Sequence, residues 1–160
     1  MYLLDAMVVA ELRGARGGTA DAGLVEWAGG VPRHELFLSA ISLLDLQDEV
    51  PPSRKGAAAA GGDWIADRVL PAFEGRILPV DADVVRRSAG LGYATTRDAL
   101  LVATALVHGL TLVTRHVSAY KAGRPKLFCP WGFVADDTGE DWRQATRGGA
   151  PWFRNLFVRM

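Results

Sequence analysis

Asp5 ends the first apolar run, Asp45 lies one turn into the helix after the second, and Asp98 opens the helix that leads into "LTLVTR". Asp5 closes the run "MYLLD", Asp45 sits in "ISLLDLQDEV", and Asp98 heads "RDALLVATALVHG". Carboxylates brought together repel one another unless a cation neutralises them, and hard oxygen ligands of this kind select Mg²⁺ or Mn²⁺. An ion so held lowers the pKa of a bound water and stabilises charge on a phosphoryl oxygen. Phosphodiester hydrolysis is the natural use. His116, just after the apolar run "LTLVTR", is of a residue type able to serve as ligand or proton carrier.

Each acid also admits a purely structural role. Asp5 can cap the helix "AMVVAELR". Ser42-x-x-Asp45 and Thr95-x-x-Asp98 both resemble capping boxes, with Ser42 as the N-cap of the helix that carries Asp45. Acids in a first turn complement the helix dipole as well. The metal reading gains weight only if the three positions share one edge.

The elements decide that. "MYLLD" and "HELFLSA" read as buried strands, each followed by a helix, "AMVVAELR" with Gly14 as its stop and "ISLLDLQDEV" closed by Pro51-Pro52. Residues 14–20 form a loop and "DAGLVEWAGG" a weakly amphipathic helix. The Gly/Ala-rich stretch 53–62 precedes a helix in "DWIADRVLPAF" that Pro71 bends or breaks. "RILPVD" is a short extended piece, "ADVVRRSAGLG" is helical, and a helix from Thr96 to His108 stops at Gly109 before the strand "LTLVTR". "KLFCPW" is the last strand. Strands alternate with helices and are continuously apolar, which predicts a parallel sheet of four to five strands covered on both faces. In such a sheet functional groups collect at the carboxyl ends of strands.

Length and composition exclude several classes. The 160 residues fit one domain, and the 18 basic and 18 acidic side chains cancel, so bulk charge favours neither nucleic acid nor membrane. Cys129 is the only cysteine, which excludes an intrachain disulfide and points to a reducing, cytoplasmic setting. "MYLLDAMVVAELR" lacks a secretory pattern, and the 99–113 run, broken by His108 and Gly109, is too short to span a bilayer.

Four stretches together resemble VapC-type toxins of the PIN-domain family, including plasmid-stability and FitB-like members. "YLLDAMVVAELR" is similar to the family's LLDTNVxSELR opening, "LFLSAISLLDLQ" to an SxxTxxEL pattern, and "ILPVDADVVRR" to a common middle segment. "RDALLVATALVHGLTLVTRHVSAY" with "LFCPW" is similar to the stretch running from D-x-L-I-A-A-T-A through LTLVTRN-x-x-D-F to NPW. The resemblance covers roughly residues 1–133. It implies a three-layer PIN fold, metal-dependent RNA cleavage, a cognate antitoxin and a homodimer. Asp5, Asp45 and Asp98 fall on the family's acidic metal ligands, with Asp45 one methylene shorter than the usual glutamate. Met7 stands where Asn is usual, Ala6 and Ala10 replace Thr and Ser, and "TRHVSA" puts His116 for Asn and Ala119 for an acid. Two readings follow: a metal-dependent endoribonuclease toxin of a type II toxin–antitoxin pair, weakened or with His116 taking over part of a lost role, or a catalytically degenerate PIN-fold protein that acts by binding antitoxin or RNA.

Arg97 and Arg115 are expected to flank the rim and hold RNA phosphates, with Arg13 and Arg16 adding to them. Beyond the family's usual end, residues 134–160 form an extension whose arginines interleave with Trp142, Trp152, Phe153 and Phe157. That pattern suits either single-stranded RNA or packing on the domain or a partner.

Overall fold

The computed structural model describes residues 1–49 and 64–134. The Pro51-Pro52 stop, the 53–62 stretch and the extension beyond Val134 lie outside them. The described chain runs β1 (Tyr2–Leu4), α1 (Ala6–Leu12), α2 (Ala22–Gly30), β2 (Leu36–Ser39), α3 (Ala40–Glu49), α4 (Leu70–Ala72), β3 (Ile77–Leu78), α5 (Ala82–Ser88), α6 (Thr96–Val107), β4 (Thr111–Val113) and β5 (Lys126–Phe128). All five strands are parallel, in the order β3-β2-β1-β4-β5.

Side chains alternate across the pleat, so each strand feeds two cores. Leu4, Leu38 and Val113 lie in register and pack with Val8, Val9 and Leu12 of α1 and Leu24 and Trp27 of α2. Leu3 and Leu112, one residue earlier, pack on the other face with Val84 of α5 and Leu101, Val102 and Ala105 of α6. This gives three layers, helices on both faces of the sheet, as the continuously apolar strands require.

Local signals explain most boundaries. α6 ends in a Schellman pair, with Leu110 N–H donating to the Ala105 carbonyl at 2.9 Å and Gly109 N–H to that of Leu106. Gly109 takes a φ of 65°, which a side chain rarely adopts. Pro71 cannot donate to the carbonyl four residues back, and the turn before it, Ile65–Val69, is π-wound. One expected boundary is corrected: α3 begins directly after β2, and Ser39 Oγ accepts from Ile41 N–H at its start. Ser42 is therefore inside the helix, buried, and its hydroxyl donates to the Leu4 carbonyl at 2.9 Å. It ties α3 to β1 instead of capping anything.

The turn after β5 closes on α2. A Cβ on Gly23 would lie 2.3 Å from the Phe133 nitrogen and 2.7 Å from its oxygen, inside any real contact distance. Gly23→Ala therefore has to displace backbone, and thermal melts should show destabilisation of about 1–2 kcal/mol. An unchanged melting temperature would contradict this packing.

Candidate active site

The chain moves outward from β1 through β2 to β3, then returns across β1 to β4, so the order reverses between β1 and β4. Parallel sheets open a crevice at such a reversal, beyond the strands' carboxyl ends. A cleft of about 330 Å³ lies there, lined by Asp5, Ala6, Met7, Asp45, Asp48, Thr95, Arg97, Asp98, His116 and Tyr120. All three acids expected from the sequence share it. They come from three separate elements, the end of β1, α3 and the first turn of α6.

Asp5 occupies the N-cap position of α1 but makes no side-chain cap hydrogen bond. Its Oδ2 instead accepts from the Thr114 hydroxyl at 2.7 Å, and Thr114 Oγ1 in turn accepts from His116 N–H at 3.1 Å. Both Asp5 and Thr114 are buried. Burial pushes the Asp5 carboxyl above its ordinary range; the Thr114 and Ala6 donors pull it down, and the Asp45 charge pushes it up again.

Asp45 is raised in the same way, by burial first, with Arg97 opposing and the Asp98 and Asp48 charges adding to the rise. Its Oδ1 accepts from Arg97 Nη1 at 3.0 Å. Asp98 N–H bonds the Thr95 hydroxyl at 3.1 Å, so the capping expected at Thr95 is present. The Asp98 carboxylate itself is held by side-chain hydroxyls: Oδ2 accepts from Thr95 Oγ1 at 2.6 Å and Oδ1 from Tyr120 OH at 3.2 Å. Burial and the Asp5 and Asp98 charges hold the Tyr120 hydroxyl far above its ordinary range, so it remains a donor.

His116 lines the cleft within electrostatic reach of Asp5. Of the four arginines expected at the rim, Arg97, Arg115, Arg13 and Arg16, only Arg97 lines the cleft, and it is engaged by Asp45 and Asp48. Arg13 lies at the far end of α1, about two turns from Asp5, and its guanidinium lies 5.1 Å from the Trp64 ring centroid. Arg115 lies 5.7 Å over the Trp131 ring and does not line the cleft. Asp48, Thr95, Thr114 and Tyr120 were not singled out as site residues from the sequence. Asp48 follows Asp45 by three residues on a helix, a spacing that signals a shared face; Thr114 and Tyr120 carried no such local signal.

The sequence matches no model of a known protein family. It is 31% identical to the VapC ribonuclease Y4jK of Sinorhizobium fredii over 140 residues, 82% of this chain and 98% of that one. It is also 31% identical to toxin FitB of Neisseria gonorrhoeae, over 82% of this chain and 99% of FitB. The chain belongs to the VapC-type toxins of the PIN-domain family. A structure of FitAB bound to a DNA fragment covers 86% of this VapC-type chain and 99% of its own, at 26% identity and a TM-score of 0.69. FitAcB from Neisseria gonorrhoeae gives the same TM-score at 28% identity, over 82% of this chain and 99% of its own. VapBC2 from Rickettsia felis, at 17% identity and 0.54, shares the fold. No helix of this VapC-type chain, among the described residues, is long and apolar enough to cross a membrane.

The raised Asp5 carboxyl has a consequence for stability. Its folded pKa lies above the unfolded value of 3.8, so the folded state holds the proton more tightly. The stability linked to this group is fully present below 3.8, falls as pH rises through the window up to the raised value, and stays lower above it. Asp5→Asn should therefore stabilise the metal-free protein at pH 7 by about 0.5–2 kcal/mol, the usual gain from relieving an active-site strain. Thermal melts from pH 4 to 7 (about the carboxylate range) should show that gain shrinking toward the acid end. A destabilised Asp5→Asn at pH 7 would contradict it.

Proposed function

We propose that this chain is a metal-dependent endoribonuclease toxin, with Asp5, Asp45 and Asp98 holding Mg²⁺ or Mn²⁺ and RNA as substrate. One observation carries the reading: three carboxylates from distant segments line one cleft, and two of them are raised by burial and by their neighbours' charge. Negative charge collected in a partly dry site is unfavourable by itself, and a hard cation is what such a donor set suits. The fit is one of chemistry. Among the described residues no three Asp, Glu, His or Cys side chains are gathered closely enough to hold an ion, and Asp45 pairs with Arg97.

The bound ion would supply an activated water and charge stabilisation at phosphorus. The chain's own residues do the rest. Thr114 fixes the Asp5 carboxylate, while Thr95 and Tyr120 fix both oxygens of Asp98. His116 stands beside Asp5, suited to carry a proton between cleft and solvent. Apolar Met7 and Ala6 line the same cleft.

A cognate antitoxin, binding as a peptide in the groove by these acids, and a homodimer complete the proposal. The likeness to FitAB and FitAcB complexes supports the antitoxin. The second reading, a degenerate PIN-fold protein that binds antitoxin or RNA without cutting, is favoured by the Asp45–Arg97 pair and by apolar Met7 in the cleft. The two part on incubation of purified protein with structured RNA, with and without Mg²⁺ or Mn²⁺. Metal-dependent cleavage that antitoxin suppresses supports the enzyme; intact RNA with every metal supports the binder.

A further inference from the structure

Arg97 and Asp98 stand side by side at the head of α6, so a cation is built into the rim of an acidic cleft. Arg97 Nη1 donates to Asp45 Oδ1 at 3.0 Å and also to Asp48 Oδ2. Asp45 and Asp48 are three residues apart on α3, and like charges at that spacing disfavour the helix. One guanidinium nitrogen contacts both, and its single charge offsets part of their repulsion. That is the electrostatic task a divalent ion would perform at Asp45, and a guanidinium and a metal ion repel one another at such range.

We propose that Arg97 is a built-in counter-ion that competes with the divalent cation for Asp45, so that metal occupancy requires its displacement. The proposal rests on the metal reading above. Among the described residues no three such side chains gather around one point, and Asp45 is held by Arg97. The competition is moderate, because the Arg97 side chain is 45% exposed and water readily takes it back. Exposed pairs of this kind are worth little each, so two of them together correspond to about a three- to tenfold change in affinity.

Calorimetric titration of the full chain with Mn²⁺ alone tests this, with melting temperatures to confirm that each variant folds. Arg97→Gln should tighten Mn²⁺ binding about three- to tenfold. Arg97→Lys should tighten it less, since it keeps a positive charge beside Asp45 and Asp48. Arg115→Gln removes the same charge from a side chain that contacts Trp131 instead of the acids, and should leave affinity within about twofold. Asp5→Asn should lose the binding, which locates the ion in this cleft.

Equal affinity in the wild type and Arg97→Gln overturns the competition while leaving the metal site standing. Equal tightening in Arg115→Gln also overturns it, since bulk charge would then suffice. Mn²⁺ binding by neither wild type nor Arg97→Gln, or binding unaffected by Asp5→Asn, overturns the metal reading together with the proposal. Binding seen only once Arg97 is replaced supports the competition in its strongest form.

Discussion

If this chain cleaves RNA with Mg²⁺ as proposed, Asp5→Asn and Asp98→Asn should each reduce that cleavage by at least about a hundredfold, a loss of several kcal/mol of transition-state stabilisation. Both substitutions keep the side-chain volume and an acceptor for the hydroxyls that now hold these carboxylates. An asparagine in place of Asp5 can still accept from Thr114, and one in place of Asp98 from Thr95 or Tyr120. What disappears is one negative charge at each ligand position. Single-turnover cleavage under saturating RNA isolates that loss, because a defect in RNA binding would show in KM. The opposite sign of the Asp5→Asn effect on stability makes the interpretation sharper: a variant that is more stable yet inactive cannot owe its inactivity to unfolding. Retained cleavage in both variants would remove these acids from the chemistry.

Thr114→Val should lower Mn²⁺ affinity about 10- to 100-fold if Asp5 holds the proposed ion, the usual cost of removing a group that orients a metal ligand. Valine matches threonine in shape, so the buried packing around β4 is kept. The Thr114 hydroxyl donates to Asp5 Oδ2 at 2.7 Å and is itself oriented by His116 N–H. Without it the Asp5 carboxylate loses its main opposing donor, and burial raises it further above its ordinary range. The proposed metal would bind the charged carboxylate, so protons would compete, and the acid limb of the cleavage profile should move to higher pH. Thr114→Ser keeps the donor and should restore both affinity and profile. An unshifted acid limb in Thr114→Val would mean that Asp5 is held by something else.

These two predictions depend on information of different range. Asp5 and Asp98 were legible because their signal is local: each is an acid at the joint between an apolar strand or helix and its neighbour. The parallel sheet was legible too, from apolar runs alternating with helices. Asp45 was legible only through its place after the second strand, and the local capping pattern attached to it misled. Ser42 serves a carbonyl of β1 across the structure, and no neighbouring residue in the chain announces that.

Alternation of apolar strands with helices, acids at two joints with a third in the helix after the second strand, and the ordered run from Asp98 to Trp131 were determined by the sequence alone. They suffice for the fold class and for which carboxylates face one edge, because periodicity and chain punctuation are short-range properties. The tertiary structure alone decided that the strand order reverses between β1 and β4, which opens the crevice beside Asp5. It alone paired Thr114 with Asp5 across 109 positions and Arg97 with Asp45 across 52. Such contacts arise from strands and helices packed side by side, and whether an acid meets a hydroxyl, a guanidinium or an ion depends on which neighbour that packing delivers.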